Sequence, residues 1–597
     1  MTDLFTTRPE IRGTFGAVAS THWIGSAVGM AVLERGGNAF DAAVATGFTL
    51  QIVEPHLNGP GGEVPIILHA AGAEAPVVIC GQGVAPRAAT IEAYKSLGLR
   101  LVPGIGLLAA VVPGAFDAWM LLLRDFGTMT PRQVLELAIA YAERGYPLVR
   151  RAAEAIAPVA EFFKAEWPSS AEVWLPGGAP PKVNQIVRTP AIAAAYARIL
   201  SEAEAAGADR VAQIEAARRA FYRGFVAEAI DRFYRASELM DSSGRRNGGL
   251  LRGDDLAAWR ATVEAPASYR YHGLDVHKTG PWGQGPVFLQ VLALLRDVDL
   301  AAMDPGGADY THHIIEAIKL AFADRDLFYG DPEFADVPLE TLLSDDYNAT
   351  RRRLIGAEAA EGQRPGALAG AEGRLEALLA LAGCEAETAL GGGEPTFADV
   401  PEIEGDTVHL DVVDQWGNMV SATPSGGWLQ SSPAIPELGF NMSTRAQMFW
   451  LDERLPSALG PGRRPRTTLT PTLVTREGAA HMAFGSPGGD QQDQWSVAMF
   501  LRLVHHTRNL QAAIDAPLFN SRHMVSSFYP RGHEPLSLLI ESRFDARVLD
   551  DLAARGHRLS RQPDWALGRL CAVARGRAGT VRAAATPRFM QAYAIGR

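Results

Sequence analysis

One junction constrains this chain more than any other. Residues 356–395 read GAEAAEGQRPGALAGAEGRLEALLALAGCEAETALGGGEP, a loose Ala/Gly/Glu tract with one candidate helix at Arg374–Leu381. Its flanks are expected to be mobile. Soon after comes EGDTVHLDVVDQWGNMVSATPSGG, residues 404–427, and there the period becomes two. Val408, Leu410 and Val412 alternate with polar neighbours, DQWGN turns the chain, and Met419–Ala422 returns as a second strand. Thr407 opens the first strand with almost no lead-in.

The two sides of that junction read differently. Residues 22–51 form two small-residue helices broken at Gly36-Gly37, the second apolar nearly all round and so buried between layers. A Gly/Pro loop then enters a strand carrying Val64, Ile66, Ile67 and Leu68. Residues 105–240 are mostly helical, with Pro131 at a helix start and Gly145 near its stop. A further helix from about Asp309 to Phe328 ends before YGDP. Behind Thr407 the pattern is strands and tight turns, then mixed helix and strand. A mostly helical front, a mobile joint and a strand-rich back give an α+β layered fold class. The 597 residues would by themselves allow about four domains, and no internal repeat is found.

Composition excludes several roles. A net charge of −11, without Lys/Arg blocks or an aromatic-basic stripe, argues against a nucleic-acid partner. Cys80, Cys384 and Cys571 are far apart and odd in number, which makes neither a disulfide framework nor a zinc spacing. The first residues lack a basic segment followed by an apolar one, and no run of 18 apolar residues occurs, so no signal peptide and no membrane span is expected. The default location is cytoplasmic.

At Thr407 the chemistry is specific. A hydroxyl beside its own preceding peptide bond can attack that carbonyl, and hydrolysis of the resulting ester leaves a Thr with both Oγ and a free α-amine. That amine, with an ordinary pKa of about 8, can accept the hydroxyl proton without a histidine. A Thr that merely opens a strand is common, so the spacing alone leaves a plain structural role open. RRPRTTLTPTLV (463–474) and FGSPGGD (484–490) add hydroxyl and backbone donors. The N–H groups of Gly488 and Gly489 could hold an oxyanion, a role of about 3–4 kcal/mol per donor; a plain glycine turn is the alternative.

Other candidates read as structural. His312, His313 and Glu316 share a helix face but have no further ligand cluster, so no metal site is expected. Ser486 is not in a G-x-S-x-G elbow, and Pro487 disfavours the turn that an elbow needs. NGPGGE (58–63) lacks the Lys-Ser/Thr of a phosphate loop. Asp490 and Asp493 suit a helix N-terminus, with a place for Asp490 or Gln491 at a pocket rim as the other reading.

Five motifs in order, GGNAFDAAVATGFTLQIVEPHLNGPGGEV, ADRDLFYGDP, DTVHLDVVDQWGNMVSATPS, RRPRTTLTPTLV and GSPGG, make the chain resemble the γ-glutamyl transpeptidase (glutathione hydrolase) family of N-terminal nucleophile hydrolases over about residues 14–590. The resemblance implies a four-layer αββα sandwich, made as a proenzyme and cut between Asp406 and Thr407. Residues 1–406 would be the large chain, ending in the mobile tract 356–406, and 407–597 the small one, together forming one heterodimeric unit. Whether two such units pair stays open. Thr407 falls on the nucleophile, Ser425 on a hydroxyl that bonds it, with Thr423 close by, and Gly488 and Gly489 on the oxyanion pair. Thr467 and Thr468 replace two serines that hold a substrate carboxylate. No metal or organic cofactor is implied. The substrate would be a small-molecule amide or γ-glutamyl compound, and the acceptor water or an amine or dipeptide.

The substrate clamp departs from the family pattern. Gln82 stands where an Arg usually binds the γ-glutamyl carboxylate, Arg445 and Met448 stand where an amide and a carboxylate hold the α-amino group, and Gly427 replaces an Asn. An ammonium facing Arg445 would be repelled, whereas a carboxylate could be held bidentately. A monoamide of a dicarboxylic acid without an α-ammonium is the expected substrate, although Gln82 could still bond a carboxylate and Arg87 could reach in from nearby, which keeps glutathione-like substrates open. Ordinary glutathione hydrolysis is the alternative, and an inactive scaffold or binding protein is the alternative of another class.

Overall fold

The computed structural model describes residues 5–385, 407–507, 509–576 and 578–597. Two seven-stranded sheets organise them. The first runs, edge to edge, Tyr593–Gly596 (β14), Gly16–Ser20 (β2), Leu410–Asp414 (β8), Met419–Ala422 (β9), Val64–His69 (β3), Val77–Gly81 (β4) and Thr262–Glu264 (β5). The second runs Ile11–Gly13 (β1), Val581–Ala585 (β13), Cys571–Arg575 (β12), Ala479–Gly485 (β11), Thr472–Arg476 (β10), Leu274–Lys278 (β7) and Ala267–Tyr271 (β6). Neighbouring strands are antiparallel throughout both.

Both sheets mix strands from before and after Thr407. The front of the chain is therefore not simply the helical portion that its periodicity announces: it gives four strands to the first sheet and three to the second. Short strands such as Ile11–Gly13 and Thr262–Glu264 carry too little alternation to be seen in sequence.

The β8–β9 hairpin is where the sequence puts it, with Leu410 opposite Ala422 and Val413 opposite Met419. Its turn closes because Asp414 Oδ1 accepts from the backbone N–H groups of Trp416, Gly417 and Asn418, each at 3.0 Å. Gly417 sits there at φ 97°, a conformation open to glycine at little strain.

Helices cover the outer faces. Trp23–Glu34 (α1) and Ala39–Val53 (α2) are separated at Gly36, and Asn38 with Asp41 forms a capping box at the start of α2. Every residue of α2 is buried. Its Val44 and Phe48 share a core with Ile66, Val412 and Val420 of the first sheet; burying each such side chain stabilises by about 1.5–3 kcal/mol. Gly285–Leu295 (α3), Ala308–Phe328 (α4) and Gln492–His505 (α5) share a second core with Val276, Val474 and Phe484 of the second sheet. A third, smaller core holds Ala19, Ile67 and Val413 of the first sheet with Ala483 and Val573 of the second. It joins the two sheets face to face.

Residues 356–385 of the Ala/Gly/Glu tract return along α4. His312 Nε2 meets Gly356 O at 2.8 Å, Arg364 Nη2 donates to Glu316 Oε2 at 2.8 Å, and Gly366 N donates to Asp324 Oδ1 at 2.7 Å. The helix at Arg374–Leu381 forms as expected, whereas Asp406 lies outside the described residues. Among the described residues no helix is long and apolar enough to cross a membrane, and all three cysteines are free thiols.

Candidate active site

Thr407 is fully buried at the head of β8 and pairs with Ser425 across an antiparallel bridge. Val408 N donates to Pro424 O at 3.0 Å, which extends the hairpin ladder past the end of β9. Thr407 Oγ1 lies 3.4 Å from Ser425 Oγ and 3.5 Å from Gln492 Nε2. The Gln492 side chain also donates to Gly488 O. The first residue of α5 thus ties Thr407 to the Gly488-Gly489 turn that follows β11.

Ser425 is held from three directions. Its backbone exchanges two bonds with Glu63, N to O at 3.0 Å and O from N at 2.8 Å. Its hydroxyl accepts from Arg445 Nη2 at 2.7 Å. Arg445 Nε in turn donates to Glu63 Oε1 at 2.6 Å, and both side chains are wholly buried. The guanidinium also lies 5.3 Å from the Trp428 ring and 5.8 Å from Phe528, with Nη1 4.0 Å from Met448 Sδ. Sequence reasoning placed Arg445 here without a carboxylate beside it. The structure supplies one from the NGPGGE loop, and the only forewarning was a Glu standing between a Gly-rich loop and an apolar strand.

The Gly-rich turn rests on a buried charge network. Asp490 pairs with Arg325 and accepts from Ser527 N at 2.8 Å and Ser527 Oγ at 2.6 Å, while Arg466 Nη2 donates to the same hydroxyl at 3.0 Å. Arg325 also pairs with Asp326 at 2.7 Å. Burial pushes the Asp490 carboxyl up, but Arg325 and Arg466 pull harder and leave it below its ordinary value. Three of the sequence motifs meet in this network. α5 begins only at Gln492 and its first-turn acid is Asp493, which pairs with Lys278 at 3.0 Å. Asp490 therefore braces the turn from outside the helix. With Gln491, Arg522, Phe528 and Glu534 it also lines a cavity of about 270 Å³ whose lining does not include Thr407, Gly488 or Gly489.

The remaining predicted positions are less tightly joined. Thr423, one pair down the hairpin from Ser425, meets His409 Nδ1 at 3.0 Å through Oγ1. Sequence reasoning passed over His409 and its neighbour Asp411. Thr467 is fixed by its backbone to Trp282 O at 3.0 Å and to Gln284 N at 2.9 Å; its Oγ1 accepts from Leu469 N at 3.3 Å. Thr468 Oγ1 is buried with no hydrogen-bond partner among the described residues, and so is Gln82 Oε1. Gln82 Nε2 donates only to Gly83 O at 3.1 Å, so no hydrogen bond among the described residues joins Gln82 to Thr407. Arg87 lines a different cavity, with Asp231 and Asp254.

The metal question receives a different triad from the one the sequence offered. His312, Glu316 and His557 bring ligand atoms within 4.8 Å of one another, whereas His313 turns to Asp309 O. Glu316 is already bonded to Lys319 at 2.6 Å and Arg364 at 2.8 Å, and two cations on the one carboxylate of the set oppose a third. His312 Nδ1 and His557 Nε2 bond each other at 2.9 Å, which takes up one nitrogen of each ring, while His557 Nδ1 is buried with no hydrogen-bond partner among the described residues.

A family model for gamma-glutamyltranspeptidase matches residues 25–595. The chain belongs to this family and is an enzyme of its N-terminal nucleophile type. It is 30% identical to an oxamate amidohydrolase proenzyme of Klebsiella pneumoniae subsp. pneumoniae, over 96% of this chain and 97% of that one. Among solved structures, LmbA2991HD is 52% identical over all of both chains, with a TM-score of 0.92. The cephalosporin acylase from Bacillus halodurans is 27% identical with a TM-score of 0.82, over 100% of this chain and 98% of that one.

Proposed function

We propose that this chain cuts itself between Asp406 and Thr407, and that Thr407 Oγ then attacks an amide carbonyl with its own α-amine as base. Gly488 and Gly489 N–H groups would hold the oxyanion, and water or an amine would release the acyl group from Thr407. The same reading takes the two sheets and their outer helices as a four-layer αββα sandwich. The three cores, helix on sheet, sheet on sheet and sheet on helix, support it. It also takes residues 1–406 and 407–597 as the two processed chains.

The observation that carries the substrate reading is the series Thr407–Ser425–Arg445. Contacts of 3.4 and 2.7 Å put Arg445 Nη2 at most about 6 Å from Thr407 Oγ1. A carboxylate held by that guanidinium at about 2.8 Å would lie close to the attacked carbonyl, which favours a short acyl chain. A short dicarboxylic monoamide fits this span, and the oxamate amidohydrolase is named for a substrate of that kind.

Glu63 favours a second reading. Its carboxylate beside Arg445 could hold an α-ammonium, as a γ-glutamyl substrate requires. Intact mass and N-terminal sequencing of wild type and Thr407→Ala come first: two chains, the smaller beginning Thr-Val-His-Leu, are expected for wild type and one chain for the variant. A wild-type chain that stays whole would leave a scaffold or binding role as the better account. On cut enzyme, oxalyl and malonyl anilides should then turn over at least tenfold faster than the γ-glutamyl anilide. The reverse order would return the chain to glutathione-type chemistry.

A further inference from the structure

The strand pair that carries Thr407 presents three consecutive cross-strand polar pairs. Thr407 stands opposite Ser425, His409 meets Thr423, and Asp411 stands opposite Ser421. A spacing of two puts Thr407, His409 and Asp411 on one face of their strand. All six side chains are buried. Ser421 Oγ donates to Asp411 Oδ1 at 2.7 Å, His409 Nε2 lies 3.0 Å from Asp411 Oδ2, and His409 Nδ1 lies 3.0 Å from Thr423 Oγ1. Gly485 of the facing sheet lies directly on the imidazole: a Cβ there would come within 2.4 Å of His409 Cε1. The ring therefore cannot swing away from its two partners.

With Asp411 ionised and the imidazole neutral, His409 Nε2 donates to the carboxylate and Nδ1 is left as the acceptor. Thr423 then commits its single hydroxyl proton to His409. The backbone from Thr423 to Ser425 is held at the same time, with Thr423 N on Pro65 O at 3.3 Å and Pro424 O accepting from Val408 N at 3.0 Å. That short segment ends in the hydroxyl 3.4 Å from Thr407 Oγ1.

We propose that His409 and Asp411 are positioning residues for the reaction at Thr407. Through Thr423 they fix the segment that presents Ser425 to the nucleophile. The role is that of the acid which sets a histidine tautomer in a hydrolytic triad, except that here the histidine orients a neighbouring hydroxyl instead of touching the nucleophile. It rests on the reading of Thr407 as the cut N-terminus and nucleophile.

The test uses the full chain, with processing followed by mass and turnover by release of an anilide. Asp411→Asn preserves shape but lets His409 take the other tautomer, and Thr423→Val preserves shape but removes the hydroxyl. Each should lower kcat about tenfold or more, with KM within about twofold of wild type and a cooperative melt retained. Thr423→Ser should recover kcat to within about threefold. The positioning role is overturned if Asp411→Asn keeps kcat within twofold, or if Thr423→Ser is as slow as Thr423→Val, since packing of the methyl would then be the whole effect. A wild-type chain that never cuts itself overturns the role together with the proposed nucleophile. A wild-type chain that cuts normally beside an unaffected Asp411→Asn overturns the role alone.

Discussion

Glu63 and Arg445 stand 382 positions apart in sequence and meet at 2.6 Å as a wholly buried ion pair. Arg445 spends a second N–H on Ser425, whose hydroxyl lies 3.4 Å from Thr407 Oγ1, so the pair is built into the support of Thr407. Burying two charges is costly, and the geometry offsets that cost only while both partners remain. Glu63→Ala is therefore expected to lower stability by about 3–5 kcal/mol, because it leaves a guanidinium in the interior without Glu63. The double change Glu63→Leu with Arg445→Met should cost less than Glu63→Ala alone. Urea unfolding of these two variants and of the single changes Glu63→Leu and Arg445→Met measures it, and additive losses in the double variant would mean that the two residues are not coupled.

Gly488 adopts φ 126°, a region that side chains rarely enter, and a Cβ there would stand 2.8 Å from the Trp495 ring. Gly488→Ala must therefore shift the turn or the indole. If the turn supplies the oxyanion donors, kcat should fall about 10²–10³-fold, the loss typical of one missing donor. Stability should fall by about 1 kcal/mol or more from backbone strain. Turnover of the cut enzyme and its melting temperature separate the two effects. Unchanged kcat in a destabilised variant would remove the turn from the chemistry.

Zinc added to the chain should leave its melting temperature where it was, because Lys319 and Arg364 already occupy Glu316. A rise that requires His312 and His557 would show that the triad takes a metal after all. Without added metal, His557→Ala should cost about 1–3 kcal/mol, the penalty for leaving the buried His312 Nδ1 unpaired.

Much of this was legible in the sequence wherever the signal is local. The break at Gly36, the helix ending at Phe328 and the hairpin after Thr407 are written in caps, glycines and period. Motif order sufficed to bring Thr407, Ser425 and the Gly488 turn into one group, and the segment before Phe449 added Arg445. What could not be read was pairing at a distance. Nothing near Glu63 says that Arg445 will face it, and nothing near Ile11 or Tyr593 says that each will add a strand to a sheet built largely from other parts of the chain. His409 was missed for the opposite reason: between Val408 and Leu410 it looks like the polar half of an alternating strand, yet here that face lies between two sheets and is as buried as the apolar one.

The acid–base behaviour of the fold carries a further signature at Glu54. Burial raises its carboxyl from the ordinary range to about 7, although Thr21 Oγ1 at 2.6 Å and Gln591 Nε2 at 2.5 Å both donate to it and Arg569 attracts it. A carboxyl whose folded pKa is raised keeps its proton in the folded state while the unfolded chain gives it up. Its contribution is therefore neutral below the unfolded value near 4.5 and becomes increasingly destabilising until pH about 7, beyond which both states are ionised. The full effect of such a shift is about 3 kcal/mol. Glu54→Gln keeps an acceptor for Thr21 but cannot ionise, so its stability relative to wild type should climb between pH 5 and pH 8 by up to that amount. Buried histidines such as His22, lowered to about 3, slope the other way in wild type and variant alike, and the difference between the two proteins cancels them. Paired denaturation curves at pH 5, 6, 7 and 8 measure the climb. A difference that stays flat across that range would mean that Glu54 is ionised in the folded protein, with Arg569 outweighing its burial.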